Sequence, residues 1–398
     1  MVKKHKVLVV GGGFAGVKAA LELCEDDRFD VTLLSNDREL RYYPTLFHTA
    51  TGGKRSNSSI PFETIFNNKR VTTVIGEAVT LDRKSKTITT SEDKVYEYAS
   101  LILALGVVTN YFGIPGLAEY SYSIKSQVEV AKFKAHLHQQ LIDDKKPDLR
   151  YVIVGAGPTG IELAGALRHY LSQIIKKHGM ARRKVHIDLI EAAPRLLPRS
   201  SKATSKSVRR RLRRLKIRLY LNSVVKGQTA NELNVSGRPI RSHTVVWTAG
   251  VTNHPFFNAN HFALMGRGKV AVDVYLQTDP DIFVLGDNAN TPYSGMAQTA
   301  LYDGAFVAHN LKRQASGKDF KSYVARKPVS VVPAGPRWAA VEWGKFHFHG
   351  YPGYLMRQAA EFIGFQDLEP LDKAAKQWFS GFSYDDDCEV CSTTTSKD

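Results

Sequence analysis

The run KVLVVGGGFAG, residues 6–16, decides the fold. Four apolar residues, Val7 to Val10, stop at glycines, and helix-spaced apolar positions follow at Val17, Ala20, Leu21 and Cys24. After Asp30 a second apolar run, Val31 to Leu34, completes a strand, glycine turn, helix and strand, which is a βαβ unit. In such a unit the first glycine, here Gly11, makes the tight turn. The second, Gly13, lets backbone approach a pyrophosphate, and the third, Gly16, lets the helix pack on the strand. The helix N-terminus then offers amide donors and a favourable dipole to phosphate. An acid for a ribose hydroxyl belongs at the end of the second strand. Here that position is Ser35, with Asp37 two residues on.

The same grammar returns 144 residues later, where YVIVGAGPTG occupies 151–160. A helix is expected from about Thr159 to Lys177, then the strand HIDLIE at 186–191. Gly155, Gly157 and Gly160 take the three glycine roles, and Glu191 is placed for both hydroxyls of an adenosine ribose. A carboxylate there repels a 2′-phosphate, so this unit should prefer NADH to NADPH, with Arg195 the nearby cation that would reverse the preference. Two copies of one unit predict an α/β protein with two Rossmann-like dinucleotide-binding domains. Further strands are expected at 71–75, 87–89, 101–105, 217–221, 245–251 and 282–287, and helices at 202–215 and 297–311.

Length and composition agree. At 398 residues the chain exceeds one ordinary domain, and 43% hydrophobic with 23% charged residues is globular composition. The longest apolar stretch, Leu101 to Val108, has eight residues, too few for a membrane-spanning helix. The start MVKKHKVLVV runs straight into a strand, so neither a signal peptide nor, with Val2, an N-myristoyl site is expected. Three cysteines suit a reducing compartment, hence a cytoplasmic location. Cys24 reads as core packing, while Cys388 and Cys391 have a redox or metal spacing on an acidic tail expected to be disordered. The histidines show no ligand spacing, with His347 and His349 facing out from an aromatic strand, so no metal site is expected.

The formal charge is +17, and Arg209, Arg210, Arg211, Arg213 and Arg214 crowd one amphipathic helix. Such a surface attracts polyanions, or is simply a solvated basic face. The last helices carry apolar stripes at Leu355, Ala359, Phe362 and Ile363, then at Leu371, Ala374, Ala375, Trp378, Phe379 and Phe382. These stripes fit a helix packed on its own domain, a membrane-surface helix or a dimer interface. Arg357, Glu361 and Asp372 interrupt them and predict weak membrane attachment.

With both glycine turns and the Gly286-Asp287 pair in view, the sequence resembles the two-dinucleotide-binding-domain flavoproteins, and among them the type II NADH dehydrogenases, non-proton-pumping NADH:quinone oxidoreductases. The resemblance runs from about Lys6 to Phe382 and rests on GGGFAG, YPTLFHTATGG at 43–53, GAGPTGIELAG at 155–165, WTAGV at 247–251, FVLGD at 283–287 and AQTA at 297–300. It implies FAD on the first fold at Gly11, Gly13, Gly16, Ser35 and Asp37, with Ala78, Ala104, Gly106, Asp287 and Ala297 as further contacts. Pro44 and Thr45 would line the isoalloxazine ring, and NADH would lie on Gly155, Gly157, Gly160, Glu191 and Gly250. Glu162 resembles the family glutamate near the nicotinamide–flavin contact that assists proton delivery; a helix-dipole-stabilised surface carboxylate is the plainer reading. Gln298 matches the first glutamine of the family's A-Q-x-A-x-Q motif, but the later glutamine positions here read Tyr302-Asp303, leaving Tyr302 to meet a quinone carbonyl.

The implied reaction is ping-pong hydride transfer from NADH through FAD to a membrane quinone, on the cytoplasmic face of a membrane with an anionic surface. An FAD domain at 1–115 plus 252–325, an NAD domain at 116–251 and a C-terminal domain at 326–398 are expected, with a homodimer open. Two rivals share the fold: a soluble reductase of a ferredoxin- or rubredoxin-type protein, and an apoptosis-inducing-factor-like flavoprotein using the arginine helix on nucleic acid. That helix lacks interleaved aromatics for base stacking, so no specific nucleic-acid partner is expected. Sulfide oxidation would need two internal cysteines, and Cys24 stands alone.

Overall fold

The computed structural model describes residues 4–142, 149–177, 179–180 and 183–382. Both glycine turns fold as βαβ units. In the first, strands His5–Val10 and Phe29–Ser35 pair in parallel around helix α1 (Phe14–Leu23). Their sheet has the spatial order 277–279, 282–284, 100–103, 5–10, 29–35, 71–75. All its pairings are parallel except that of the 277–279 edge strand. Ile282–Val284 therefore enters this sheet beside Ser100–Leu103, although a second sheet is built between them in sequence.

That second sheet is wholly parallel, in the order 217–220, 186–190, 150–154, 244–247. Helix α2 (Pro158–Lys177) follows its glycine turn and buries Leu163, Leu167, Leu171 and Ile174, one face at helical spacing. Helix α3 (Lys202–Arg214) is capped by the Ser201 hydroxyl, which accepts from Thr204 N–H at 3.1 Å, and buries Val208 and Leu212. Helix α4 (Ala297–Gln314) lies against α1.

A small antiparallel sheet, 330–333, 339–343 and 346–350, closes the fold with helices α5 (Tyr351–Gln366) and α6 (Leu371–Ser380). Period-two alternation gives this sheet two employed faces. Val332, Ala334 and Ala340 join the core of the second domain together with Val208 and Leu212 of α3. Ala339 and Val341 face α5, where Gly353 leaves no room for a Cβ. Helices α3 and α5 thus cover opposite sides of one sheet. His347 and His349 stand outward on the last strand, and Cys24 is a buried free thiol at the end of α1. Cys388, Cys391 and the acidic tail lie outside the described residues.

Candidate functional site

The two glycine turns are built alike. Gly11 has φ +111° and Gly155 φ +104°, a region that glycine alone enters freely. A Cβ on Gly16 would collide with the Gly11 carbonyl, and one on Gly160 with the Gly155 carbonyl. On Gly13 and Gly157, by contrast, a Cβ would meet nothing within 4 Å. The middle glycine of each turn therefore borders open space at a helix N-terminus, which a side chain would fill, and this is the cradle a dinucleotide pyrophosphate requires.

Around the first turn the structure gathers residues from distant segments. Gly11 lies directly against the Ala104 carbonyl, and the Ala104 amide donates to Val10 O at 2.8 Å. Two residues on, the Gly106 amide donates to Asn288 Oδ1 at 2.8 Å, and Asn288 Nδ2 returns a bond to the Gly106 carbonyl at 2.6 Å. Asp287 sits in the same short turn, Gly286–Asn288. Ser35 is buried beside Gly12 and accepts from the Asp37 amide at 3.3 Å, while Asp37 pairs with Arg41. Ala78 is buried at the start of its strand among Val10, Leu34 and Ala289. Sequence reading missed Lys125 and Lys269. Burial lowers both ammonium pKa values, and the nearby Asp287 carboxylate opposes that shift. Two cations and open space at a helix N-terminus suit an anionic cofactor.

Around the second turn, Glu191 Oε2 accepts from Ala156 N–H at 2.7 Å and Oε1 from Ala193 N–H at 2.8 Å, so the carboxylate is locked to the glycine loop. Arg195 donates to the carbonyls of Leu197, Pro198 and Ser200, which holds it within its own turn. Gly155 packs against Ala249, and the next residue, Gly250, accepts from the Asn110 amide at 3.1 Å beneath the Phe112 ring.

Between the turns lies a cluster the sequence only half revealed. Burial pushes the Glu162 carboxyl up to about 7, with Glu361 adding to the shift and Arg357 opposing it. Arg357 is 9% exposed; its Nε donates to Glu361 at 2.6 Å and its Nη2 to the Pro44 carbonyl. The expectation that Arg357 and Glu361 spoil an outward apolar face is corrected here: they turn inward and satisfy each other. Their i, i+4 spacing was the available signal. Thr45 is buried, its hydroxyl donating to Asn57 O at 2.5 Å.

The start of α4 differs from a simple glutamine row. Ala297 begins the helix, and Gln298 is exposed with Oε1 accepting from Val329 N–H at 3.1 Å. Tyr302 is half-buried, with the Arg326 guanidinium 4.4 Å from its ring centroid and Tyr323 at 5.6 Å. Asp303 is fully buried and props the Gly286 turn: Oδ2 accepts from Gly286 N–H at 3.1 Å and Oδ1 from Tyr323 O–H at 2.7 Å. Burial raises its pKa to about 6.

Residues 5–304 match the pyridine nucleotide-disulphide oxidoreductase family. A type II NADH:quinone oxidoreductase of Staphylococcus epidermidis is 30% identical over 360 residues, covering 83% of this chain and 88% of that protein. The structure of NDH2 from Plasmodium falciparum in complex with NADH superposes with a TM-score of 0.85 at 16% identity, over 96% of this chain and 98% of that one. The sulfide:quinone oxidoreductase of Aquifex aeolicus gives 0.79 at 19% identity, over 94% and 92% of the two chains, a likeness of fold alone. With its two parallel sheets and paired glycine turns, this chain belongs to the pyridine nucleotide-disulphide oxidoreductases and, within them, to the type II NADH:quinone oxidoreductases.

Proposed function

We propose that the chain carries FAD on its first glycine turn and NADH on its second, and passes electrons to a membrane quinone in a ping-pong cycle without pumping protons. Gly11, Gly13, Gly16, Ala104, Gly106 and Asp287 hold the FAD, and Gly155, Gly157, Gly160 and Glu191 the NADH. The observation that carries this reading is the matched pair of open cradles at Gly13 and Gly157. Bound there, the flavin supplies a two-electron carrier that takes hydride from NADH and returns electrons to the acceptor.

The chain's own residues do the remainder. A carboxyl with a pKa of about 7 is part protonated at neutral pH, so Glu162 holds a transferable proton. Arg357 fixes the Pro44 loop through its carbonyl and keeps Glu162 from rising further. Asp303 and Asn288 fix the turn that presents Asp287. Locked by two amides, Glu191 is an acceptor for ribose hydroxyls, and with Arg195 engaged elsewhere NADH is preferred to NADPH. The domains proposed are 1–115 plus 252–325 for FAD, 116–251 for NAD, and a C-terminal domain at 326–398 with membrane-surface or dimer helices.

Among the described residues no helix is long and apolar enough to cross a membrane. Leu355 and Ile363 on α5, Leu371 and Phe379 on α6, and Phe382 just beyond it are exposed, whereas Ala374 is buried. This favours peripheral binding to a membrane surface, with basic residues attracted to anionic lipid, and the cytoplasmic face is the side proposed. The Arg326-capped Tyr302 favours a second reading, a small redox protein as acceptor.

An anaerobic flavin spectrum tests both. NADH should bleach the band near ~450 nm, the usual oxidised-flavin absorption, and soluble quinone should restore it. Bleaching without recovery would hand the acceptor role to a protein, and absence of a flavin band would overturn the reading.

A further inference from the structure

Helix α3 turns every basic side chain but one to solvent. Thr204, Ser205, Val208 and Leu212 are buried, while Lys202, Lys206, Arg209, Arg210, Arg213 and Arg214 are exposed. Where α3 ends, against α2 and the 334–337 loop, the surface sinks into a groove of about 320 Å³. Its polar lining is Arg168, His169, Ser172, Arg211, Arg214 and Lys216, and among the described residues no carboxylate lines it. Arg211 is fixed by the carbonyls of Ala334 at 3.0 Å and Pro336 at 2.9 Å, and Arg168 by that of Val185 at 3.1 Å. Each guanidinium has five N–H donors, so both keep donors unspent by these bonds. Lys216, at φ +59°, turns the chain at the groove's edge. Burial lowers the Arg211 pKa, and the nearby Arg214 charge lowers it further.

We propose that this groove binds a ligand carrying two or more phosphate groups in a chain, at a site separate from both glycine turns. Oriented guanidiniums match phosphate oxygens in pairs, and Lys216 adds a point charge. The volume lies at the small end of ligand sites and suits a short phosphate chain rather than a polymer. Membrane lipid is disfavoured as the source, because α3 and the exposed apolar helix α5 cover opposite faces of the small sheet.

The test is calorimetric titration of inorganic tripolyphosphate into the flavin-loaded protein at physiological ionic strength, where charges outside the groove are largely screened, with saturating NAD to occupy the second glycine turn. One-to-one binding is expected, weakened about tenfold or more by Arg214→Gln with Lys216→Gln. Arg209→Gln with Arg210→Gln and Arg213→Gln, all outside the groove, should leave it unchanged. Arg214→Gln alone is the milder check should the double variant fold poorly. Equal affinity for tripolyphosphate and a nucleoside triphosphate would make the phosphate chain the whole ligand; tighter nucleotide binding would add a base contact. No saturable binding overturns the site. Equal weakening by both variant sets would reduce it to diffuse charge, and loss only in the outer set would mark a nucleic-acid-type row instead.

Discussion

The guanidinium of Arg357 reaches the carbonyl of Pro44, tying helix α5 to the turn at Tyr43–Thr45. The same side chain is the positive charge that restrains the Glu162 pKa, so one residue couples loop position to proton affinity. Arg357→Ala should move the Glu162 titration to higher pH, read as a shift in the alkaline limb of the kcat profile. It also strands Glu361 without its partner, a loss of roughly 3–5 kcal/mol for a buried pair. Arg357→Lys should recover most of the stability and part of the pH profile.

Glu162→Gln removes the group that titrates near 7. We expect kcat to fall by about a hundredfold and the limb near neutral pH to flatten, with NADH affinity little changed. A profile that kept its limb would assign it to another group.

Gly13→Val and Gly157→Val should both fold, because a side chain at either position meets open space. The first should yield protein without flavin, and the second a yellow protein that NADH no longer bleaches. The reverse pattern would exchange the two cofactors. Glu191→Ala should weaken NADH binding without releasing flavin, measured by titration of the flavin band.

Glu369 is buried, with an Oε2 that has no hydrogen-bond partner among the described residues, and desolvation raises its pKa to about 7. Because this pKa is raised, the folded state holds its proton more tightly than the unfolded chain. Stability is therefore full below about 4.5 and is lost as pH rises towards 7. Glu369→Gln should raise Tm at pH ~8 and leave it nearly unchanged at pH ~4, a difference on the order of 1–3 kcal/mol.

Leu355→Glu with Ile363→Glu and Phe379→Glu places charge on the exposed apolar face. Co-sedimentation with anionic vesicles should be lost while reduction of a soluble quinone persists. Intact vesicle binding accompanied by loss of a dimer would mean that the face covers a second copy.

Local patterns made both βαβ units legible, since glycine spacing, apolar runs and helix periodicity act within thirty or so residues. The acid at Glu191 and the burial of Cys24 were legible for the same reason. What stayed hidden was long-range. Periodicity shows that Arg357 and Glu361 share a helical face but not what covers it, and the Pro44 loop does. Likewise Asp303 read as a failed glutamine, because its partners, Gly286 and Tyr323, come together only in the fold. Lys125 and Lys269 carry no motif, and only tertiary structure sets them near Asp287.

The late strand Ile282–Val284 also has a consequence for synthesis. Until it leaves the ribosome, Ser100–Leu103 is an open parallel edge with a row of unsatisfied amides and carbonyls. The second sheet, complete by Trp247, can close while the first still waits. The nascent chain thus finishes its middle before its beginning, a long-range pairing that is slow and prone to aggregation. A premature stop just before Ile282 would leave roughly 70% of the polypeptide, with a first sheet that has lost the partner of its edge.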